Sequence, residues 1–295
     1  MLALVDGHCC PPRSKNFVRK VVAESMVTQG HLDLWMKDLS PLDCQDILKS
    51  MHKGNQELRK LTIGSSHTAG AGVGRFLQLC PGLKELELEW EGVRDLTNVA
   101  LSMASHKSLV RLNLTHNEVG PRGASQLAQA LRTNKSLTEL DLRENNLGPM
   151  GMKAIADALA DNDTIRSLHV QDNGIGDDGV IAMTEALMRN GRLRTVCLDG
   201  NEVSEVGAKV ICIAIKMNPA LRLLSLSRNA LPDESKMALI EAWHQREVEQ
   251  GEDQTGMYLE KAADGTDVDR NGWGRQSSSV GVGGGQGVLV SPSRD

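Results

Sequence analysis

Five asparagines, Asn117, Asn145, Asn173, Asn201 and Asn229, stand 28 residues apart, and each is followed two places later by Val119, Leu147, Ile175, Val203 or Leu231. A fixed period of this length constrains the fold more than any other feature of the chain. One supersecondary unit must stack on copies of itself, because a unit this short cannot bury its apolar face alone. Such stacks present extended surfaces, so the period points to binding rather than to one deep catalytic pocket.

The clearest copies read LVRLNLTHNEVG from Leu109, LTELDLRENNLG from Leu137, IRSLHVQDNGIG from Ile165, LRTVCLDGNEVS from Leu193 and LRLLSLSRNALP from Leu221. With the first residue of each copy as place 1, apolar residues at places 4 and 6 alternate as in a short strand with one buried face. Glycine at places 12 and 15, as in Gly120 and Gly123 or Gly148 and Gly151, marks the turn out of the strand. The period then changes. Leu127, Ala128 and Leu131, or Ile155, Ala156 and Leu159, have helical spacing. Adjacent strands sit about 4.8 Å apart whereas adjacent helices need roughly 10 Å, so the stack bends with its strands inside. The predicted fold is α/β: a right-handed solenoid of horseshoe form, with parallel strands on the concave face and helices on the convex face.

The pattern LxxLxLxxNxL, with its 28-residue length and long helical half, resembles the leucine-rich repeats of the ribonuclease-inhibitor-like class. That class includes the ribonuclease inhibitor, the GTPase-activating protein of Ran, the repeat domains of NOD-like receptors and the C-terminal domain of tropomodulin. The resemblance implies that Asn117, Asn145, Asn173, Asn201 and Asn229 form a structural ladder, each side chain bonding backbone groups where the strand turns away. Weaker copies precede the clear ones at Leu83-Leu86-Leu88, Leu58-Leu61-Ile63 and, from Gln29, Leu32-Leu34; their asparagine place holds Glu91, Ser66 and Lys37. The expected organisation is a degenerate N-terminal capping unit over 1–28, with a helix over about 14–28, then eight repeats over 29–248. These repeats start near 29, 58, 83, 109, 137, 165, 193 and 221.

From residue 249 to 295 the pattern gives way to a Gly/Ser-rich composition, expected to be a disordered tail. Its eight acids and four bases carry −4 of the chain's net charge of −5, so any charged surface on the array must come from distribution. No apolar run approaches the ~20 residues that span a bilayer, and the opening MLALVDGHCC has too short an apolar stretch for a signal peptide. A cytoplasmic location is expected. The six cysteines show no paired framework, and Cys80 and Cys212 are expected to be reduced core thiols.

The sequence offers no catalytic constellation. Gly70-Ala71-Gly72-Val73-Gly74 lacks the Lys-Ser/Thr of a phosphate loop and falls at a turn of the repeat. His8-Cys9-Cys10 lacks a second ligand pair, and His116 and His169 have no nucleophile identifiable as a partner. No enzyme activity, cofactor, metal or small-molecule substrate is expected.

Places 3, 5, 7 and 8 alternate away from the core leucines and are expected to line the concave face. They supply the candidate partner-binding residues Trp35, Glu85, Glu87, Glu89, Trp90, Arg111, Glu139, Asp141, Glu144, Asp172 and Asp199. Nine acids stand there against four bases, and two of the four tryptophans lie among them, the composition of an interaction hot spot. The reading is a non-catalytic protein-interaction scaffold or regulator whose partner has a basic surface. A regulator that activates a small GTPase, or an actin- or cytoskeleton-binding protein, is the alternative. Nucleic acid is not expected as a partner, because the face repels phosphate and no basic stripe is visible along the chain; nor is a membrane.

Overall fold

The computed structural model describes residues 30–35, 47, 58–64, 73–89, 92–250 and 256–259; the capping unit over 1–28 and the asparagine places Lys37, Ser66 and Glu91 lie outside them. Nine parallel strands form one sheet in strict chain order: β1 (His31–Trp35), β2 (Lys60–Gly64), β3 (Glu85–Glu89), β4 (Arg111–Asn113), β5 (Glu139–Asp141), β6 (Ser167–His169), β7 (Thr195–Cys197), β8 (Leu223–Ser225) and β9 (Gly256–Tyr258). Between them run α1 (Val73–Leu79), α2 (Thr97–Ser105), α3 (Gly120–Thr133), α4 (Gly148–Leu159), α5 (Gly176–Arg189), α6 (Glu205–Met217) and α7 (Asp233–Gln250). The α/β solenoid expected from the period is the architecture observed.

From β2 to β8 the register advances one repeat per strand without slip: Lys60 pairs with Glu85, Glu85 with Arg111, Arg111 with Glu139, Glu139 with Ser167, Ser167 with Thr195 and Thr195 with Leu223. A one-residue slip would turn every core leucine outward, so Leu112, Leu140, Leu168 and Leu224, all buried, fix the register. The core is a single file between sheet and helices. Leu109, Leu112, Leu114, Leu127 and Leu131 of one unit are fully or almost fully buried, as are Leu137, Leu140, Leu142, Ile155 and Leu159 of the next. Each such side chain stabilises the array by about 1.5–3 kcal/mol relative to exposure. Adjacent helices approach closely where glycine allows it. A Cβ on Gly151 would lie 3.2 Å from Pro121 Cα and 3.3 Å from Ala124 Cβ of the preceding helix.

The array continues past its expected end. Gly256–Tyr258 lies inside the segment read as disordered tail, yet it pairs with β8 as a ninth parallel strand, Met257 opposite Leu224 and buried. Average composition over 249–295 hid a short apolar segment, Met257-Tyr258-Leu259, that covers the β8 edge of the sheet. Trp243 and Arg246 of α7 close the end of the core: both are buried, and the guanidinium lies 4.9 Å from the indole ring centre. Cys80 and Cys212 are half-buried against the core rather than buried within it, and Cys197 is buried at the sheet. Burial raises the Cys80 thiol to about 11 and moves Cys212 in the same direction.

The constant register brings all strand starts and all helix ends to one flank of the solenoid. The expectation that no basic stripe exists is corrected there. Lys84, Arg166 and Arg194 stand just before strands, Lys107, Lys135 and Arg192 in the loops, and Arg132, Arg189 and Lys216 in last helical turns. The basic residues are scattered along the chain and gather only because the repeats stack.

Candidate protein-binding face

No helix of the described residues covers the outer face of the sheet, so the side chains at places 3, 5, 7 and 8 form it. Place 3 is a row of alternating charge. Lys60 Nζ lies 3.6 Å from Glu85, Arg111 Nη1 lies 3.7 Å from Glu85 on its other side, and Arg111 Nε lies 2.7 Å from Glu139. Lys60 also donates to Glu87 Oε1 at 2.6 Å, while Thr62 Oγ1 donates to Glu87 Oε2 at 2.8 Å. Cross-strand neighbours at equal places are close enough to interact directly. The row thus neutralises part of the acidic cluster from within.

Places 5 and 7 are more enclosed than strand alternation alone predicts. Asp141 is 2% exposed and Asp199 is 4% exposed. Asp141 accepts from the Arg143 backbone N–H at 3.1 Å and from its guanidinium at 2.6 to 3.0 Å. Asp199 Oδ1 accepts from Ser225 Oγ at 2.5 Å and Ser227 N at 2.6 Å. Strands packed at roughly 4.8 Å crowd equivalent side chains on an inward-curving face, and both aspartates hold neighbouring loops. Glu89 is intermediate. Asn113 Nδ2 donates to its Oε1 at 2.6 Å, and its carboxyl is pushed above the usual range, chiefly by burial and next by the Glu87 charge.

Place 8 is the open rim. His116, Glu144, Asp172 and Arg228 all take left-handed backbone conformations, with φ between 54° and 57°, and these turn their side chains out of the sheet line. His116 Nδ1 lies 2.8 Å from Glu144 Oε2, and desolvation holds the imidazole below its ordinary range despite that carboxylate. Arg228 reaches two repeats back to grip Asp172 in a bidentate pair at 2.7 and 2.6 Å. Gly200 lies between them with φ of 63°, and a Cβ there would strike Asp172 Oδ1. Of the tryptophans, Trp90 lies outside the described residues; Trp35 ends β1 opposite Gly64, and its side chain lies outside them too.

The five asparagines that set the repeat are buried or nearly so, and the side chain of each bonds the preceding repeat. Asn173 Nδ2 donates to Leu142 O, Val170 O and Gln171 O, all at 2.9 Å, while its Oδ1 accepts from Asn145 N at 3.0 Å and Leu147 N at 3.2 Å. A second ladder escaped the sequence reading. Asn134, Asn162, Asn190 and Asn218 stand three residues before each place 1, end the helices, and are at most 4% exposed. Asn190 Nδ2 donates to Leu159 O and Asn162 O, and its Oδ1 accepts from Arg192 N and Leu193 N. The same 28-residue spacing, read at the helix ends, carries that signal. His106 fills the place one repeat earlier: Nδ1 accepts from Leu109 N at 3.0 Å and Nε2 meets Cys80 O at 3.2 Å. Arg246 fills it one repeat later, its Nε donating to Asn218 O at 3.2 Å.

The Leucine Rich repeat family model matches residues 105–128, 133–156 and 161–183, three consecutive units that run from the end of α2 into α5. These are leucine-rich repeats. Among solved structures, the leucine-rich repeat array is similar to leiomodin-1 actin-binding site 2, at 19% identity over 53% of this chain and 92% of that one, with a TM-score of 0.45. It is also similar to the tropomodulin C-terminal domain of Caenorhabditis elegans, at 13% identity over 52% of this chain and 94% of that one, with a TM-score of 0.43. No curated protein matches the sequence.

Proposed function

We propose that the leucine-rich repeat array is a non-catalytic scaffold that binds a basic protein segment on its sheet face. The observation that carries this reading is the row Lys60, Glu85, Arg111, Glu139 with the rim acid Glu144. The face is uncovered, the row's charges are held in fixed alternation, and over the whole face acids still exceed bases. Glu85, Glu139 and Glu144 keep solvent access of 32%, 21% and 48% at their side chains, which leaves acceptor positions for an incoming Arg or Lys. Asp141 and Asp199 support the face rather than touch the partner, since both are spent on internal bonds.

The test is affinity capture by the full chain, wild type against the triple change Glu85→Lys, Glu139→Lys and Glu144→Lys. Capture of basic partners should fall at least tenfold and weaken with salt, as expected for charge-steered binding. Unchanged capture sinks the proposal. Actin pelleting and a GTP-hydrolysis assay with captured GTPases are the arms that separate the cytoskeletal and regulatory readings.

Three N-x-Ser/Thr triplets support a cytoplasmic place for this chain. Asn113, Asn134 and Asn162 head Asn-Leu-Thr, Asn-Lys-Ser and Asn-Asp-Thr, yet they are 2%, 1% and 4% exposed, and each Nδ2 is bonded inside the fold. A glycan on any of them excludes the folded state. Directed to the endoplasmic reticulum by an added signal peptide, the chain should be glycosylated and protease-sensitive. The changes Thr115→Ala, Ser136→Ala and Thr164→Ala, which keep the asparagines, should restore resistance.

A further inference from the structure

Among the described residues, basic side chains gather on the flank where helices end and strands begin. Lys84, Lys107, Arg132, Arg192, Arg194 and Lys216 are all exposed there. From α1 to α6 the acids in last turns and loops of this flank are Asp157, Asp161 and Asp163, and the latter two are already engaged, by Arg189 at 2.7 Å and Lys135 at 2.6 Å. The helix macrodipole accounts for bases in last turns, such as Arg132 and Lys216. Lys84 and Arg194 stand before strands and belong to no helix.

Two further features define the surface. First, it is flat. The solenoid bends because the helix layer is wider than the strand layer, so the bend axis runs along the strands. A register that never slips from β2 to β8 then keeps the strand starts level. Second, large apolar side chains lie open among the charges: Met188 and Met217, at the ends of α5 and α6, are 47% and 66% exposed. No aromatic residue stands among the described residues of this flank to stack a nucleobase, and a level surface offers no groove to follow a strand.

We propose that this flank docks on an anionic lipid bilayer. Lysine and arginine approach lipid phosphate and carboxylate groups, and Met188 and Met217 enter the headgroup boundary, the combination that holds peripheral proteins on membranes. No helix among the described residues is long and apolar enough to cross a membrane, so the contact is with the surface. In this pose the sheet face stands at right angles to the bilayer, leaving it open to a protein partner.

The test is co-sedimentation of the full chain with vesicles of neutral phosphatidylcholine, with and without 30 mol% phosphatidylserine as about a third of the lipid. The wild type should sediment with the phosphatidylserine vesicles only, less so at about 0.5 M salt. Each of Lys84→Gln, Lys107→Gln, Arg132→Gln, Arg194→Gln and Lys216→Gln should lower the partition coefficient about fivefold. Met217→Ser should lower it with the salt dependence kept. These side chains are exposed, so circular dichroism should show the fold intact. Glu205→Gln on the opposite flank should leave vesicle binding as it is, and the sheet-face triple change, which adds positive charge, should not lower it, which separates this proposal from the sheet-face one. Equal sedimentation with both vesicle types, or none, overturns the proposal. So does binding of mixed-sequence single-stranded RNA, lost with the same variants, in place of vesicle binding.

Discussion

At the residue scale the strongest demands fall on polar side chains that are buried yet fully bonded. Asn173 serves five backbone groups across two repeats. Asn173→Ala should therefore destabilise the array by about 2–4 kcal/mol, since it leaves several buried groups unpaired at about 1–3 kcal/mol each; urea unfolding measures this. His106 is the informative exception in the second ladder. Its ring imitates an asparagine by accepting backbone N–H groups through Nδ1 and meeting a carbonyl through Nε2. His106→Asn should cost little, whereas His106→Leu should cost about 2 kcal/mol by the same reasoning. Glu89 acts in the opposite direction. Its carboxyl is raised by burial and by Glu87, so the native state holds that proton at a pH where the unfolded chain has lost it. Stability then falls as pH rises through this window, and the cost persists at neutral pH. Glu89→Gln keeps an acceptor for Asn113; it should raise Tm at pH 7 and flatten the pH profile from the ordinary glutamate range upward. An unchanged profile would count against this reading.

At the scale of elements, the two ladders and the glycines decide how tightly strand, turn and helix join. Gly200 has φ of 63° beneath the Arg228–Asp172 pair. Gly200→Ala should destabilise by about 1–2 kcal/mol through backbone strain and loss of that geometry, against a smaller effect for Asp172→Asn alone, because an exposed pair contributes only ~0–1 kcal/mol. The ninth strand has a separable role as an edge cover. Ending the chain at residue 250 exposes the β8 edge and leaves Leu224 without Met257 beside it. Such a chain should unfold at lower urea concentration and self-associate more than one ending at residue 260, as size-exclusion chromatography would show. The strand was not legible from composition averaged over 47 residues, since three residues that find an edge to pair with carry little weight in such an average. The second asparagine ladder was legible in principle, because its period equals that of the first. It was missed because a lone asparagine after a helix resembles an ordinary end cap, and its span to the preceding repeat shows only in the stack.

At the scale of the whole molecule, the leucine-rich repeats behave as a one-dimensional stack in which each unit contacts its neighbours. Hydrogen exchange should accordingly be slowest over β4 to β7, in the middle of the described stack and farthest from its ends. Cys80 should resist alkylation at pH 8 until the chain unfolds, because its thiol is raised to about 11. The sequence by itself determined the repeat length, the alternation of strand and helix, the inward leucines and the outward places, for a simple reason. Each is a local periodicity of 2, 3.6 or 28 residues, and local periodicity is written along the chain. It did not determine which outward charges are available. Glu85, Glu87 and Glu139 read as a free acidic cluster but stand beside Lys60 and Arg111 once the strands align. Asp141 and Asp199 read as surface and are buried struts. The basic flank escaped notice although Lys84, Arg166 and Arg194 all stand at place 2, because that place lies before the strand and its other members come from helix ends and loops that only the stack brings beside it. Only the tertiary structure decided these points, since pairing and exposure depend on distances between residues 24 to 56 positions apart, which the register of parallel strands sets and the chain order conceals.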